Sequence, residues 1–181
     1  MSDLPRIATA SLAGCFGCHM SVLDIDDRIL KLAELVEFDR SPITDIKTVG
    51  DCDVGIIEGG VANAENVEVL RSFREHCTIL VAMGACAVDG GIPAMRNSFA
   101  LSECLEEAYL NCITSMPDEC VVPYHEDLPK ILDKVYACSD IVEIDHFIPG
   151  CPPNADHIWR SVLSLLSGQQ LPISYAAFKY D

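Results

Sequence analysis

Short apolar runs alternate along the chain with stretches whose apolar residues recur every three or four positions. Residues 6–12 (RIATASL) form the first run and predict a strand. After a loop at 13–18, Val22, Ile25, Ile29, Leu30 and Ala33 fall at helical spacing and predict a helix over 21–33. Residues 35–39 (LVEFD) alternate and predict a second strand, broken by Ser41-Pro42. Residues 43–51 are polar and predict a connection. Residues 53–58 (DVGIIE) predict a third strand, stopped by Gly59-Gly60, and 64–76 carries Val67, Leu70 and Phe73 in a helical pattern.

Residues 78–83 (TILVAM) are continuously apolar, as a parallel strand buried on both faces should be. Gly84-Ala85-Cys86 and an irregular loop through Pro93 follow. Residues 102–110 predict a short helix. A long excursion punctuated by Pro117, Pro123 and Pro129 comes next, and 128–137 predicts a helix. Residues 141–148 (IVEIDHFI) alternate and predict a fifth strand. Pro149-Gly150-Cys151-Pro152-Pro153 predicts a rigid turn, and Asn154 caps a helix running to 166, ended by Gly168. Residues 169–181 are a mildly apolar tail. Alternation of strand and helix implies an α/β fold. Its sheet is open, mostly parallel and doubly wound, of flavodoxin-like type, in a three-layer α/β/α arrangement. The expectation is a single domain over 1–181 with a short C-terminal tail.

Charge narrows the function. The 181 residues include 28 acidic and 12 basic ones, for a net charge of -16. Nucleic acid and anionic membrane surfaces, which attract clustered Lys and Arg, are excluded as partners. No apolar run is long enough to span a bilayer, and the N-terminus has neither a signal peptide pattern nor a twin-arginine pair, so a cytoplasmic location is expected. Thiols stay reduced there, so the ten cysteines imply metal binding or chemistry and not a disulfide framework.

Cys15 and Cys18, a Cys-x-x-Cys pair, follow the first predicted strand. Cys86 follows the strand at 78–83, and Cys151 follows the strand at 141–148. In a doubly wound sheet, ligands bind at the carboxyl ends of the strands, so these four thiols converge on one crevice. Each has a glycine within two residues, and the glycines at 14, 17, 84 and 150 are positioned to offer N–H donors to the sulfurs. One close pair plus two distant single ligands favours a four-iron cluster over a structural zinc ion, which usually takes two close pairs. The compact ferredoxin spacing is absent.

Cys52, Cys77, Cys104, Cys112, Cys120 and Cys138 read mostly as small buried hydrophobes, with Cys112 and Cys120 as rivals for a ligand position. Glu58 ends an apolar strand at the cysteine edge. It reads equally as a solvated carboxylate or as a group of the site or partner surface that passes protons. His19 reads as a solvated or hydrogen-bonded side chain, Trp159 as packing, and Asp24, Asp26 and Asp27 as a solvated helix face. No nucleophile elbow, Walker loop or G-x-G-x-x-G fingerprint is present. An electron carrier without a substrate pocket works with a catalytic partner.

The segments Cys15-Phe16-Gly17-Cys18, VGIIEG at 54–59, Gly84-Ala85-Cys86 and Pro149-Gly150-Cys151-Pro152-Pro153, in this order, resemble the small subunit of a NiFe hydrogenase. The resemblance covers residues 6 to about 166 and is strongest to the soluble, bidirectional NAD-reducing type. It implies that Cys15, Cys18, Cys86 and Cys151 bind one proximal 4Fe-4S cluster. The NiFe centre would lie in a separate large subunit, with FMN, NAD and further iron–sulfur clusters in diaphorase subunits. Glu58 matches the acidic position of the family's E-G motif, and Met20 stands where many relatives carry an acid. The chain also stops soon after the G-C-P-P region, without the domain that carries further clusters in membrane-bound and periplasmic small subunits. The cluster-bearing subunit of complex I is similar but typically has two adjacent cysteines in place of Cys15 and Cys18. Other NiFe-hydrogenase or complex-I-like assemblies, a zinc-stabilised non-redox interaction protein and an FMN carrier are the alternatives.

Overall fold

The computed structural model describes residues 4–111, 113, 120–169 and 171. Cys112 and most of the tail lie outside the described residues. Strands β1 (Arg6–Ser11), β2 (Glu37–Phe38) and β3 (Cys52–Glu58) are followed by β4 (Val61–Asn63), β5 (Cys77–Met83), β6 (Ile131–Tyr136) and β7 (His146–Ile148). Five of them form a parallel sheet in the order β2-β1-β3-β5-β7. Counted within that sheet the order is 2-1-3-4-5, the flavodoxin-like doubly wound arrangement. The remaining two, β4 and β6, form a separate antiparallel pair.

Helices α1 (Gly17–Leu23), α2 (Arg28–Leu35), α3 (Ala64–His76), α4 (Ala85–Asp89), α5 (Leu101–Leu105) and α6 (Ala155–Leu166) complete the fold. Side chains alternate across the sheet and supply two cores. On one face Ala8, Ala10, Ile57, Leu80 and Ala82 pack with Leu70 and Phe73 of α3. On the other, Ile7, Val54, Ile56, Val81 and Met83 pack with Leu32 of α2 and with Ile158, Val162 and Leu165 of α6. Phe73 is fully buried, and burial of such a side chain is worth about 1.5–3 kcal/mol. The Asn63 side chain caps α3 by accepting the Asn66 N–H at 2.8 Å, and Asn154 caps α6 by accepting the Asp156 N–H at 2.9 Å. Among the described residues no helix is long and apolar enough to cross a membrane.

Three expectations are corrected. The helix expected over 128–137 is β6, held antiparallel to β4. The helix expected over 21–33 is two helices, parted by a turn at 24–27 in which Asp26 takes φ 61. Aspartate tolerates that left-handed conformation better than most residues. Asp24, Asp26 and Asp27 are exposed but belong to this turn and not to a helix face. The strand expected over 141–148 pairs only at its end, and a 3-10 turn at Cys138–Asp140 precedes it.

Candidate functional site

Parallel strands bring their carboxyl ends to one edge of the sheet. Cys15 lies in the loop after β1, and Cys18 sits in the first turn of α1. Cys86 is the second residue of α4, directly after β5, and Cys151 follows β7. Cys15 and Cys151 are exposed, while Cys18 and Cys86 are half-buried. The four thiols are close enough to act on one another. Burial pushes the Cys18 thiol well up, and the Glu58 carboxylate and the Cys86 and Cys15 thiols add to the rise. Burial likewise raises Cys86, with Cys151 and Cys15 contributing. Burial thus disfavours the thiolate form of both, a cost that a bound metal centre would have to offset.

Glycines shape the space around the sulfurs. Gly84 takes φ +86, and a Cβ there would stand 2.3 Å from Cys18 Sγ. At Gly91 a Cβ would stand 3.0 Å from Cys86 Sγ. Only glycine leaves these sulfurs their room. The backbone N–H that reaches the Cys86 sulfur is that of Ile92. Gly84, expected to donate to a sulfur, gives its N–H to the Ile148 carbonyl of β7 at 2.8 Å.

Glu58 is 2% exposed, which rules out a solvated strand-end carboxylate. The Ser11 hydroxyl donates to its Oε1 at 2.6 Å, and the His19 backbone N–H donates to its Oε2 at 2.9 Å. His19 Nδ1 stands 3.2 Å from Oε1. Burial alone would raise the Glu58 carboxyl, but the contacts from His19 and Ser11 outweigh it and hold the group below its ordinary range. His19 is buried and hydrogen-bonded, with Nε2 2.9 Å from Thr9 Oγ1. Sequence reasoning does not single out Ser11 or Thr9. Their signal is weak: two hydroxyls two residues apart in an otherwise apolar strand, so both lie on one face.

Cys52, Cys77 and Cys138 are core residues, with thiols pushed by burial to about 12, about 11 and about 12 respectively. Cys104 and Cys120 are half-buried. Trp159 packs against the second core, with the Arg28 guanidinium 5.8 Å from its ring centroid. Among the described residues no three His, Cys, Asp or Glu side chains converge on a point suited to one metal ion. The donor set of four neighbouring thiols around a glycine-cleared space fits a polynuclear iron–sulfur group, which takes its thiolates at separate corners.

Comparison with known proteins places the chain in a family. The family model of the NADH ubiquinone oxidoreductase, 20 Kd subunit, matches residues 15–165. The NAD-reducing hydrogenase HoxS subunit delta of Cupriavidus necator is 48% identical over 178 residues, 97% of this chain and 85% of that protein. An F420-non-reducing hydrogenase protein of Methanothermobacter thermautotrophicus is 38% identical over 96% of this chain, which spans only 57% of that protein's length. A crystal structure of an NAD+-reducing [NiFe]-hydrogenase in the H2-reduced state superposes with a TM-score of 0.95 at 52% identity, over 98% of this chain and 99% of its counterpart. A Ni-Fe-Se hydrogenase chain from Desulfomicrobium baculatum, at 16% identity and a TM-score of 0.61 over 97% of this chain and 69% of that one, shares the fold. The chain belongs to the NADH ubiquinone oxidoreductase, 20 Kd subunit family, and within it to the hydrogenase small subunits of the NAD-reducing type.

Proposed function

We propose that this chain is the electron-transfer small subunit of a cytoplasmic NAD-reducing NiFe hydrogenase. It would carry one 4Fe-4S cluster on Cys15, Cys18, Cys86 and Cys151. When bound, that cluster supplies one-electron redox chemistry between a NiFe centre in a large subunit and a diaphorase module with FMN and further iron–sulfur clusters. The observation that carries the reading is the gathering of four cysteines at the carboxyl edge of the sheet, after β1, β5 and β7. Likeness to the delta subunit of an NAD-reducing hydrogenase supports the assignment of partners and acceptor.

The chain's own residues have distinct tasks in this scheme. Cys15 and Cys151, both exposed, would hold the solvent-facing side of the cluster. Cys18 and Cys86 would hold its inner side, where burial and the Ile92 N–H tune the potential. Glu58 lies beside Cys18 and would pass a proton near the cluster or serve the contact with the partner subunit.

Anaerobic purification of the complex followed by iron, zinc and nickel analysis tests the reading. The expected result is four irons per copy of this chain, with nickel in the large subunit. Cys18→Ala and Cys151→Ala should each lose the four-iron signal. One zinc and no iron, or a full four-iron spectrum in both variants, would sink the ligand assignment.

A further inference from the structure

The segment between Cys15 and Cys18 depends on a side chain that is not a thiol. His19 is 5% exposed, and its contacts run in four directions. Its backbone N–H donates to Glu58 Oε2 at 2.9 Å, and Nδ1 stands 3.2 Å from Glu58 Oε1. Nε2 lies 2.9 Å from Thr9 Oγ1, which lies 2.8 Å from Ser41 Oγ. The Phe16 ring stacks on the imidazole with centroids 4.8 Å apart and planes 8° from parallel. Phe16, between the two cysteines, takes φ 66, a left-handed conformation that residues with a Cβ adopt at a cost.

We infer that His19 is the positioning residue of the cysteine loop, clamping Phe16 and Glu58 so that Cys15 and Cys18 face Cys86 and Cys151. The Thr9 contact on Nε2 and the stacked Phe16 ring hold the imidazole plane, with Nδ1 facing the Glu58 carboxylate but making no hydrogen bond of its own. The stacked ring then fixes Phe16, whose carbonyl accepts the Met20 N–H at 3.1 Å and starts α1. Glu58, held by His19 and Ser11, in turn meets the Cys18 sulfur. A sulfur ligand oriented this way transmits its setting to the metal group it holds, as partners one step removed from a metal commonly do. The inference rests on the proposed ligand set.

His19→Phe in the intact complex tests it. Phenylalanine keeps a ring for Phe16 but removes both nitrogens. Iron content should stay at the parent value, while the EPR g-values and the potential of the reduced cluster shift. Thr9→Val, which removes only the Nε2 partner, should shift both by less. His19→Gln, whose amide reaches Thr9, should recover part of the change. Parent g-values and potential in both His19→Phe and Thr9→Val would overturn the inference. If His19→Phe does not assemble, Thr9→Val alone decides. Failure of the ligand set is read separately, from iron retained in Cys18→Ala.

Discussion

For single residues, the site is governed by the space around sulfur. A methyl group at position 84 would lie 2.3 Å from Cys18 Sγ, at a backbone angle that favours glycine. Neither the strand end nor the sulfur can retreat without moving the site. Gly84→Ala should therefore weaken iron retention by about 10–100-fold, the usual cost of disturbing groups that support a metal ligand. Chelator competition on the anaerobic complex measures it. Gly168→Ala is the matched control: it also sits at positive φ but has nothing within 4 Å, so only backbone strain of roughly 1 kcal/mol is expected and iron should be retained. The gathering of the four candidate ligands at one edge of the sheet was legible because each is a cysteine within two residues of a glycine, just past a predicted strand. His19, Ser11 and Thr9 were not, because their importance comes from one another and from Glu58, 39 residues from His19 in sequence. Only the folded chain brings such partners together.

For whole elements, apolar periodicity reads faithfully where pairing is regular and misleads where it is not. The helix at Ala64–His76 and the central strands emerge at nearly the expected bounds because each presents a continuous buried face. In β6, Val61 pairs with Tyr136 but Asn63 pairs with Ile131, so the ladder slips between them. Extra residues on one strand break the period of two. Leu132 and Val135 end up inward at a separation of three, which imitates a helix. The outer edge of β6 is then closed by side chains. Asn97 accepts the Val135 N–H and donates to its carbonyl, both at 2.8 Å, and Arg96 reaches the carbonyls of Leu132 and Asp133. No local pattern announces that closure. Asp145 does the joining at the far end of the sheet. It accepts from Arg74 of α3 at 2.7 Å and from the Leu80 N–H of β5 at 2.7 Å. Partial burial alone would raise its carboxyl, but these contacts hold it below the ordinary range. A depressed folded-state value means stability that is present above the unfolded value of about 4 and lost as pH falls through the folded one. Asp145 is partly exposed, so solvent screens the pair to about 1 kcal/mol. Asp145→Asn should lower the melting temperature by a few degrees at pH 7 and make no difference once the pH falls well below the ordinary carboxylate range. An equal loss at both pH values would mean that the carboxylate charge contributes nothing.

For the molecule as a whole, one edge of the sheet joins the candidate ligands to exposed apolar surface. A net charge of -16 keeps the chain well hydrated, yet large apolar side chains stand in solvent beside the cysteines. Met20, two residues past Cys18, is 52% exposed, and Ile92, whose N–H meets Cys86, is 69% exposed. Met95, one turn further, is 70% exposed. Exposed apolar surface that borders a functional group marks a place where another chain is seated. In the proposed complex that chain is the large subunit, since electrons must cross from its NiFe centre to these thiols over a short distance. Burying three such side chains contributes more to association than rim charges do, because apolar anchors near the middle of an interface carry most of its affinity. Ile92→Lys with Met95→Lys puts two charges into that contact without touching a cysteine, a glycine or the sheet. The doubly substituted chain should keep its fold, because neither side chain is part of a core. It should also lose co-purification of the large subunit, and a loss that grows smaller at high salt would mark it as charge repulsion. Undiminished co-purification of the double variant would place the large subunit on another face, and the electron path would then have to leave the sheet by a different edge.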